Sequence, residues 1–240
     1  MNNQETIDLL YNLKLKGMSE AFKAMSIMPV SERPSMELAI AKMAEAERMY
    51  RANQRTQMYL KTSKLRFNAS LEDIECSSER NLTKSQLSEI GDCSFIRRAE
   101  NILITGLTGC GKTYLACALG RQACYLGFRT EYLNMNKFIE KIALAKLEGN
   151  FLKVITHLEK NELIILDDFG LHVLDDVDRL VLLEMMEDRH GLKSTIISSQ
   201  LPIKVWYDII GESTIADAIL DRLVNGAFRI EIKSKKSLRE

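Results

Sequence analysis

The sequence predicts an α/β fold in which a central parallel five-stranded sheet is flanked by helices and preceded by a small all-helical region. From residue 101 onward, short apolar runs alternate with segments of helical periodicity, as right-handed β-α-β crossovers require. Before residue 67 the pattern is helical almost throughout, with breaks at Gly17, Pro29 and Pro34. These observations predict a helical domain at 1–66, a connector at 67–100 and an α/β domain at 101–240.

Local signals define the elements in order. A pattern without glycine or proline runs from Ser35 past Leu60 and predicts one long helix. Thr83-Lys-Ser-Gln86 fits a capping box and predicts a short helix in the connector. Strands are predicted at 101–105, 129–134, 162–167, 194–199 and 227–232, and helices near 112–126, 135–147, 151–160, 176–190 and 214–225.

A glycine-rich loop follows the first predicted strand. Its pattern, G-x-x-x-x-G-K-[ST], is typical of a loop whose backbone N–H groups turn inward around phosphates at the N-terminus of a helix; the alternative is a plain glycine-rich turn. Lys112 is predicted to reach the β- and γ-phosphates, and the Thr113 hydroxyl to ligate Mg²⁺. The residues predicted to bind ATP are Gly106, Leu107, Thr108, Gly109, Cys110, Gly111, Lys112, Thr113 and Tyr114.

An apolar run, Leu163-Ile-Ile-Leu, ends in two acids, Asp167 and Asp168. A buried parallel strand ends at the ligand crevice of such a sheet, so both carboxylates are expected there. Asp167 is predicted to hold Mg²⁺ through water, and Asp168 to polarise the attacking water. The alternative is that the pair forms a turn or a helix cap.

Two further positions suit ATP hydrolysis. The strand Ser194-Thr-Ile-Ile-Ser-Ser199 is followed by Gln200, which is predicted to orient the attacking water; Ser199 and Gln200 are alternatively turn residues. Arg222 comes late in a helix, just before the last strand. It is either an arginine finger for the γ-phosphate of a neighbouring subunit or a surface residue paired with Asp217 or Asp221.

The second half of the long N-terminal helix carries a basic run. Six basic residues occur without an acid and are interleaved with aromatic residues, which suits contact with a phosphate backbone; a solvated helix face is the alternative. The run comprises Arg48, Arg51, Arg55, Lys61, Lys64 and Arg66.

Composition sets limits on location and partners. The formal net charge of the 240 residues is zero, so local clusters alone could attract nucleic acid. The five cysteines form no C-x-x-C pair, and the sequence has neither a signal peptide nor an apolar stretch of membrane-spanning length. These features predict a cytoplasmic protein with no membrane association. Alkylation of Cys110 would block nucleotide binding if its thiol were exposed.

The motifs, taken together, resemble the IstB-type ATPases, transposition helpers encoded beside the transposase in one group of bacterial insertion sequences. The chain is also similar to the DnaC helicase loaders and, more distantly, to DnaA. The resemblance covers nearly the whole chain and rests on these words: Leu13-Lys-Leu-Lys-Gly-Met18 with Ala21-Phe22, Phe95-Ile-Arg-Arg-Ala-Glu-Asn101, the glycine loop, Leu166-Asp-Asp-Phe-Gly170, Ser198-Ser-Gln-Leu-Pro202 with Trp206, and Ala218-Ile-Leu-Asp-Arg-Leu223 followed by Arg229-Ile.

The resemblance implies an AAA+ P-loop ATPase that assembles as a ring or helical filament on double-stranded DNA and recruits or stimulates the transposase of its own element. By position it assigns Gln200 to the sensor, often Asn in relatives, and Arg222 to the finger, while Arg239 resembles a second sensor arginine. DNA contact then falls to the N-terminal helices or to basic core helices such as the one bearing Lys137, Lys141 and Lys146.

Two other functions stay open from sequence: a DnaC-like loader of a replicative helicase, and a nucleotide-gated binding switch with little turnover. A transposase gene beside this one would favour the helper, and co-purification with a hexameric helicase would favour the loader. A small-molecule kinase is disfavoured because the sequence has no evident lid or acceptor-binding segment.

Overall fold

The structure is a computed structural model that describes residues 2–234, so Arg239 lies outside the described residues. The chain divides into two compact units, Met1–Met58 and Tyr59–Glu240. The division falls within the long helix predicted from Ser35, eight residues before the predicted domain boundary at 66.

The N-terminal unit is helical, as the sequence predicts. Its helices are α1 (Asn3–Asn12), α2 (Lys16–Ser26) and α3 (Met36–Thr62), the last of which continues into the second unit. Pro29 and Pro34 lie between α2 and α3, where a missing N–H donor costs no helical hydrogen bond. The single long α3 confirms the helix predicted from the uninterrupted pattern.

The helix break predicted at Gly17 lies just before it, at residues 13–15 between α1 and α2, and Gly17 itself is the second residue of α2. A Cβ atom there would lie 2.4 Å from Ala46 O, and only glycine allows α2 and α3 to approach this closely. The buried Glu47 carboxylate accepts hydrogen bonds from the backbone N–H groups of Gly17 (2.8 Å) and Met18 (3.2 Å). The close approach at Gly17 and the hydrogen bonds to Glu47 therefore hold the N-terminus of α2 against α3.

The second unit has the predicted alternation of strands and helices. Its strands are β1 (Ile102–Gly106), β2 (Thr130–Asn134), β3 (Leu163–Phe169), β4 (Ser194–Ser199) and β5 (Phe228–Ile232). Its helices are α4 (Lys84–Gly91), α5 (Ser94–Arg97), α6 (Lys112–Tyr125), α7 (Met135–Leu147), α8 (Phe151–Glu159), α9 (Asp176–Arg189), α10 (Trp206–Ile210) and α11 (Ser213–Val224). The five strands and the capping box of α4 are confirmed.

The strands form one parallel sheet in the order β2-β3-β4-β1-β5. The strands β3 and β4 therefore lie between β1 and β2, although β1 and β2 are consecutive in the chain. Such a reversal of strand order opens a crevice at the carboxyl ends of the strands. The carboxyl ends of β1, β3 and β4 meet there.

Alternate residues of the strands pack on opposite faces of the sheet. On one face, Ile104 and Ile165 pack with α6 and with the segment around Phe95. On the other face, Leu103 and Ile164 pack with α7 to α11. This two-faced burial explains why the central strands read as continuous apolar runs in the sequence.

The predicted connector, residues 67–100, is part of the core of the second unit. Leu82, Ile90 and Phe95 are buried in the cluster that includes Ile104. The segment therefore packs as one wall of the core of this unit. Among the described residues, no helix is both long and apolar enough to cross a membrane.

Candidate active site

The glycine loop joins β1 to α6 in the predicted setting. Gly111 has φ +96° as the residue before α6, a conformation that glycine adopts without strain. At Gly106 a Cβ atom would lie 2.2 Å from Ile232 O, so the loop can leave β1 beside β5 only with glycine there. Both glycines therefore determine the path of the loop between β1 and α6.

Lys112 lies within the loop, and its side chain is 6% exposed. Its ammonium donates hydrogen bonds to Gly106 O (2.7 Å) and Leu107 O (2.9 Å). The loop carbonyls thus hold the ammonium within the loop, and the charged oxygens of an anionic ligand would be stronger acceptors than these carbonyls. Cys110 is fully buried, so the condition for its direct alkylation is not met.

Asp167 is completely buried at the end of β3. It accepts hydrogen bonds from Thr113 Oγ1 (3.0 Å), Tyr132 Oη (2.6 Å) and Ser198 Oγ. Burial raises the pKa of Tyr132, and its hydrogen bond to Asp167 raises this pKa further, so the hydroxyl stays protonated as a donor. The sequence did not predict that Tyr132 or Ser198 contacts Asp167, because each lies on a neighbouring strand.

The donor set fits Mg²⁺. A hydroxyl and a carboxylate, Thr113 Oγ1 and Asp167 Oδ1, lie 3.0 Å apart beside the phosphate loop. Mg²⁺ prefers oxygen ligands and usually takes one or two protein oxygens, with phosphates and water completing the octahedron. Within residues 2–234, no group of three or more His, Cys, Asp or Glu side chains could hold a metal ion.

Asp168 lies where the backbone departs from regular strand geometry. Its φ is +61°, a left-handed conformation rare for a residue other than glycine, and the pairing of β3 with β4 is irregular between Leu166 and Phe169. Asn134 Nδ2 donates a hydrogen bond to Asp168 Oδ2 at 2.9 Å. Asn134 was missed from sequence, although it ends β2 opposite Asp167 in the sheet.

The end of β4 places Gln200 at the crevice. Thr108 Oγ1 of the phosphate loop donates a hydrogen bond to Gln200 Oε1 at 2.5 Å, and both side chains line the same cavity as Asp168. Ser199 instead donates to Phe169 O (2.7 Å) and accepts from the Leu201 N–H (3.1 Å). The hydroxyl of Ser199 therefore braces the turn, and the amide of Gln200 faces the candidate site.

The cavity beside the phosphate loop has a volume of about 430 Å³. The side of the cavity formed by the connector includes Phe67, Ile74, Arg80 and Leu82, and Tyr114 packs on the Phe67 ring with 6.1 Å between centroids. The size and mixed apolar lining suit a nucleoside next to the phosphates. The sequence predicted Tyr114 at this site but none of the connector residues.

Arg222 lies near the end of α11 and forms an ion pair with Glu187 of α9. Its Nη1 also donates to Ala218 O at 2.7 Å, and its Nε is buried with no hydrogen-bond partner among the described residues. The carboxylate partner is therefore Glu187 rather than Asp217 or Asp221. Whether Arg222 is a finger stays a prediction.

The predicted DNA-binding residues divide into two groups. In the first group, each basic side chain lies within 4.0 Å of a carboxylate oxygen. The pairs are Arg48 with Glu45, Arg51 with Glu47, Lys64 and Lys141 with Glu131, and Arg66 with Asp167 and Asp168. The others, Arg55, Lys61 and Lys137, are exposed and form no ion pair within residues 2–234. Lys146 lies over the Phe151 ring. The structure thus assigns the basic residues to different surroundings.

Comparison with known proteins identifies the family. A family model described as IstB-like ATP binding protein matches residues 8–240. The chain belongs to this family. The IstB-like chain is 39% identical over 234 residues to the insertion sequence ATP-binding protein y4pL of Sinorhizobium fredii, covering 98% of this chain and 95% of that protein. It is 36% identical to the ATP-binding protein of insertion sequence IS1162 from Pseudomonas fluorescens, covering 84% and 88%.

Solved structures confirm the predicted AAA+ fold of this IstB-like protein. The DnaC helicase loader aligns with a TM-score of 0.56 at 21% identity, over 70% of this chain and 98% of that chain. AMPPCP-bound DnaA from Aquifex aeolicus aligns with a TM-score of 0.61 at 19% identity, over 73% and 53%. At these identities the likeness concerns the fold.

Proposed function

We propose that this IstB-family protein hydrolyses ATP with Mg²⁺ as an oligomer on double-stranded DNA and recruits or stimulates the transposase encoded by the same element, in the cytoplasm. The observation that carries the proposal is the meeting of Lys112, Thr113, Asp167 and Asp168 at the carboxyl edge of the sheet, next to a nucleoside-sized cavity. Phosphoryl transfer to water needs these parts: a cation at the phosphates, Mg²⁺ ligands and a group that positions water.

Each residue has one task in this mechanism. Lys112 exchanges its loop carbonyls for phosphate oxygens. The Thr113 hydroxyl would ligate Mg²⁺, and Asp167 would hold the ion through water. When bound, Mg²⁺ neutralises charge on the phosphate oxygens. Asp168, held by the hydrogen bond from Asn134, would accept a hydrogen bond from the attacking water. The Gln200 amide, which lines the same cavity, would form a second hydrogen bond with that water. The fully engaged Asp167 stays oriented by its three hydroxyl donors.

Asp168→Asn is expected to reduce turnover by about 10²-fold or more, while ATP binding survives. The amide keeps the shape of the side chain but removes the charge that polarises water. Single-turnover hydrolysis and calorimetric ATP titration separate the two effects. Unchanged turnover, with binding intact, would transfer the catalytic role to another residue.

The position of Arg222 supports a site completed by a neighbouring subunit. Asn101, which precedes β1, donates hydrogen bonds from Nδ2 to Arg222 O (2.9 Å) and Leu223 O (3.3 Å), so the end of α11 lies at the amino edge of the sheet. The phosphate loop follows the opposite end of β1, and a strand of five residues spans roughly 16 Å. The guanidinium is therefore too far from its own loop and needs a second subunit.

Arg55 and Lys61 are exposed and are better candidates for DNA contact than basic residues that already pair with a carboxylate, such as Arg51 with Glu47. An arginine that already has a carboxylate partner gains less binding free energy from a phosphate. Reversing both to glutamate is expected to weaken duplex binding and lower the slope of log K against log salt by about two units, because each lost phosphate contact removes about 0.9. Binding across a salt series is the measurement.

A matched double variant, Lys23→Glu with Lys42→Glu, makes the same charge change at exposed residues of α2 and α3 that lie outside the basic run. An equal loss of slope in this control would show a general charge effect. An unaltered slope in the Arg55 and Lys61 variant would make the basic run a solvated helix face. Sequence preference should not change, because backbone contacts carry no base information.

The helicase-loader alternative rests on the fold likeness to DnaC at 21% identity, whereas the insertion-sequence relatives reach 39%. The partner test is direct. The protein with ATP, Mg²⁺ and duplex DNA is mixed separately with the neighbouring transposase and with the replicative helicase of the host. Retention of the transposase supports the proposal, and exclusive retention of the helicase refutes it.

A further inference from the structure

Arg66 lies beside Asp167 and Asp168. Its Nη1 is 3.9 Å from Asp167 Oδ2 and 3.9 Å from Asp168 Oδ2. The guanidinium also lies over the Phe67 ring, 5.5 Å from its centroid, and Phe67 lines the nucleotide cavity. The sequence grouped Arg66 with the DNA-binding residues, but its guanidinium occupies the active site of the same unit.

The contact with the acids is of a kind that can be displaced. At 3.9 Å the guanidinium attracts both carboxylates without a direct hydrogen bond, and the side chain is 46% exposed. By contrast, Asp167 and Asp168 are fixed by neutral donors: hydroxyl groups for the first, and the Asn134 amide for the second. Arg66 can therefore leave while the acids keep their positions.

Arg66 is also tied to the end of α3. The helix ends at Thr62, and Ser63 O then accepts a hydrogen bond from the backbone N–H of Tyr132 at 2.7 Å. The same Tyr132 donates its hydroxyl to Asp167. The short segment from Ser63 to Arg66 thus connects the end of the helix that bears the basic run to the Mg²⁺ ligand.

We propose that Arg66 is a positioning residue that restrains hydrolysis: its guanidinium takes the place of a cation beside Asp167 and Asp168 until Mg²⁺-ATP and the engagement of α3 by DNA displace it. The inference rests on the proposed ATPase function. With Arg66 in place, Mg²⁺ must compete with a positive charge near its own ligand. Asp168 is meanwhile attracted to the guanidinium and away from the attacking water.

Arg66→Gln tests the restraint because it keeps a long polar side chain and removes the charge. DNA-free turnover is expected to rise about 3- to 10-fold, with a lower Mg²⁺ concentration at half-maximal rate, as removing a like charge beside a metal ligand favours the metal. Stimulation by duplex DNA should shrink by the same factor. Arg66→Lys, which keeps the charge, should restore much of the restraint.

Lys84→Gln is the matched control, because it removes an exposed positive charge at the start of α4. Thermal unfolding checks that every variant folds. A binding readout independent of turnover is the Mg²⁺ dependence of ADP affinity by calorimetry. Arg66→Gln should increase the gain in affinity that Mg²⁺ provides, and Lys84→Gln should leave it unchanged.

Two results would overturn the inference: a fall in DNA-free turnover, which would make Arg66 a supporter of catalysis, or no change in either turnover or Mg²⁺ dependence. Failure of the proposed function looks different, because the wild-type protein would then hydrolyse no ATP. Even in that case the ADP titrations decide whether Arg66 opposes Mg²⁺.

Discussion

Replacing Lys112 with alanine is expected to weaken ATP binding by about 10²- to 10⁴-fold. The ammonium would make two charge-assisted hydrogen bonds to the β- and γ-phosphates, each contributing about 1.5–3 kcal/mol, and 1.4 kcal/mol corresponds to a tenfold change in affinity. No other ammonium group lies at the mouth of the loop among the residues that line the cavity. Calorimetric titration with ATP, with and without Mg²⁺, measures the loss.

Thr113→Ala is the matched control for this variant. It removes the hydroxyl that contacts Asp167 but keeps the ammonium, so only the part of ATP affinity that depends on Mg²⁺ should fall. Lys112→Ala should lose affinity under both conditions. Normal affinity in a folded Lys112→Ala protein would refute the phosphate-loop assignment.

The Lys112→Ala variant should keep its fold because the hydrogen bonds of the ammonium that it loses lie within one loop. In the wild type, Lys112 Nζ donates to Gly106 O and Leu107 O of the same loop. The loop lies at the open cavity, where water can hydrogen-bond these carbonyls in place of the ammonium. Thermal unfolding without nucleotide should therefore change little, and the added stability normally conferred by ATP should disappear.

The parts of the site that the sequence predicted are those encoded by contiguous residues. The phosphate loop is one such segment, and Asp167 and Asp168 end a run whose apolar character marks a buried strand. Their placement follows from the parallel sheet, because the carboxyl ends of its strands lie along one edge. Fold class, strand positions and these side chains could therefore be predicted without knowing which strands are neighbours.

The parts that were missed depend on strand order and packing. Asn134 and Tyr132 contact the acids only because β2 is the neighbour of β3. This strand pairing brings together residues that are more than 30 positions apart in the chain. Leu82 lines the cavity because the connector folds back on α6 and β5. No local pattern specifies such contacts.

Charge patterns in the sequence were the least specific signal. Arg66 and Arg55 have the same type of side chain in one basic run, yet Arg66 lies beside Asp167 and Asp168 while Arg55 is exposed on α3. A run of basic residues in the sequence does not show where each side chain lies. Because α3 ends at Thr62, the residues after it leave the helix and follow a different path from Arg55. Only tertiary structure separates an active-site arginine from a surface arginine.

Replacing Arg222 with alanine is expected to reduce hydrolysis by about 10³- to 10⁵-fold, with ATP binding almost normal, as for arginine fingers in general. The finger would act on the γ-phosphate of the next subunit, because α11 ends at the amino edge of its own sheet. Arg229→Ala, which removes an exposed arginine of β5, is the charge control.

The ion pair with Glu187 offers a second control. If Arg222 acted only by holding α11 to α9, Glu187→Gln would reproduce the loss of activity. We expect Glu187→Gln to retain turnover, because a partly exposed ion pair contributes only about 0–1 kcal/mol to stability and the finger stays present. Equal losses in the two variants would make Arg222 a structural residue.

Mixing Arg222→Ala with Lys112→Ala protein tests whether the finger acts between subunits. Within a mixed oligomer, some Arg222→Ala subunits with intact phosphate loops would receive a finger from a Lys112→Ala neighbour, so part of the activity should return. An arginine acting within its own subunit cannot be rescued in this way, since each variant then lacks one essential group in every site. Absence of rescue, under conditions where mixed oligomers demonstrably form, would therefore exclude a shared site and with it the role proposed for Arg222.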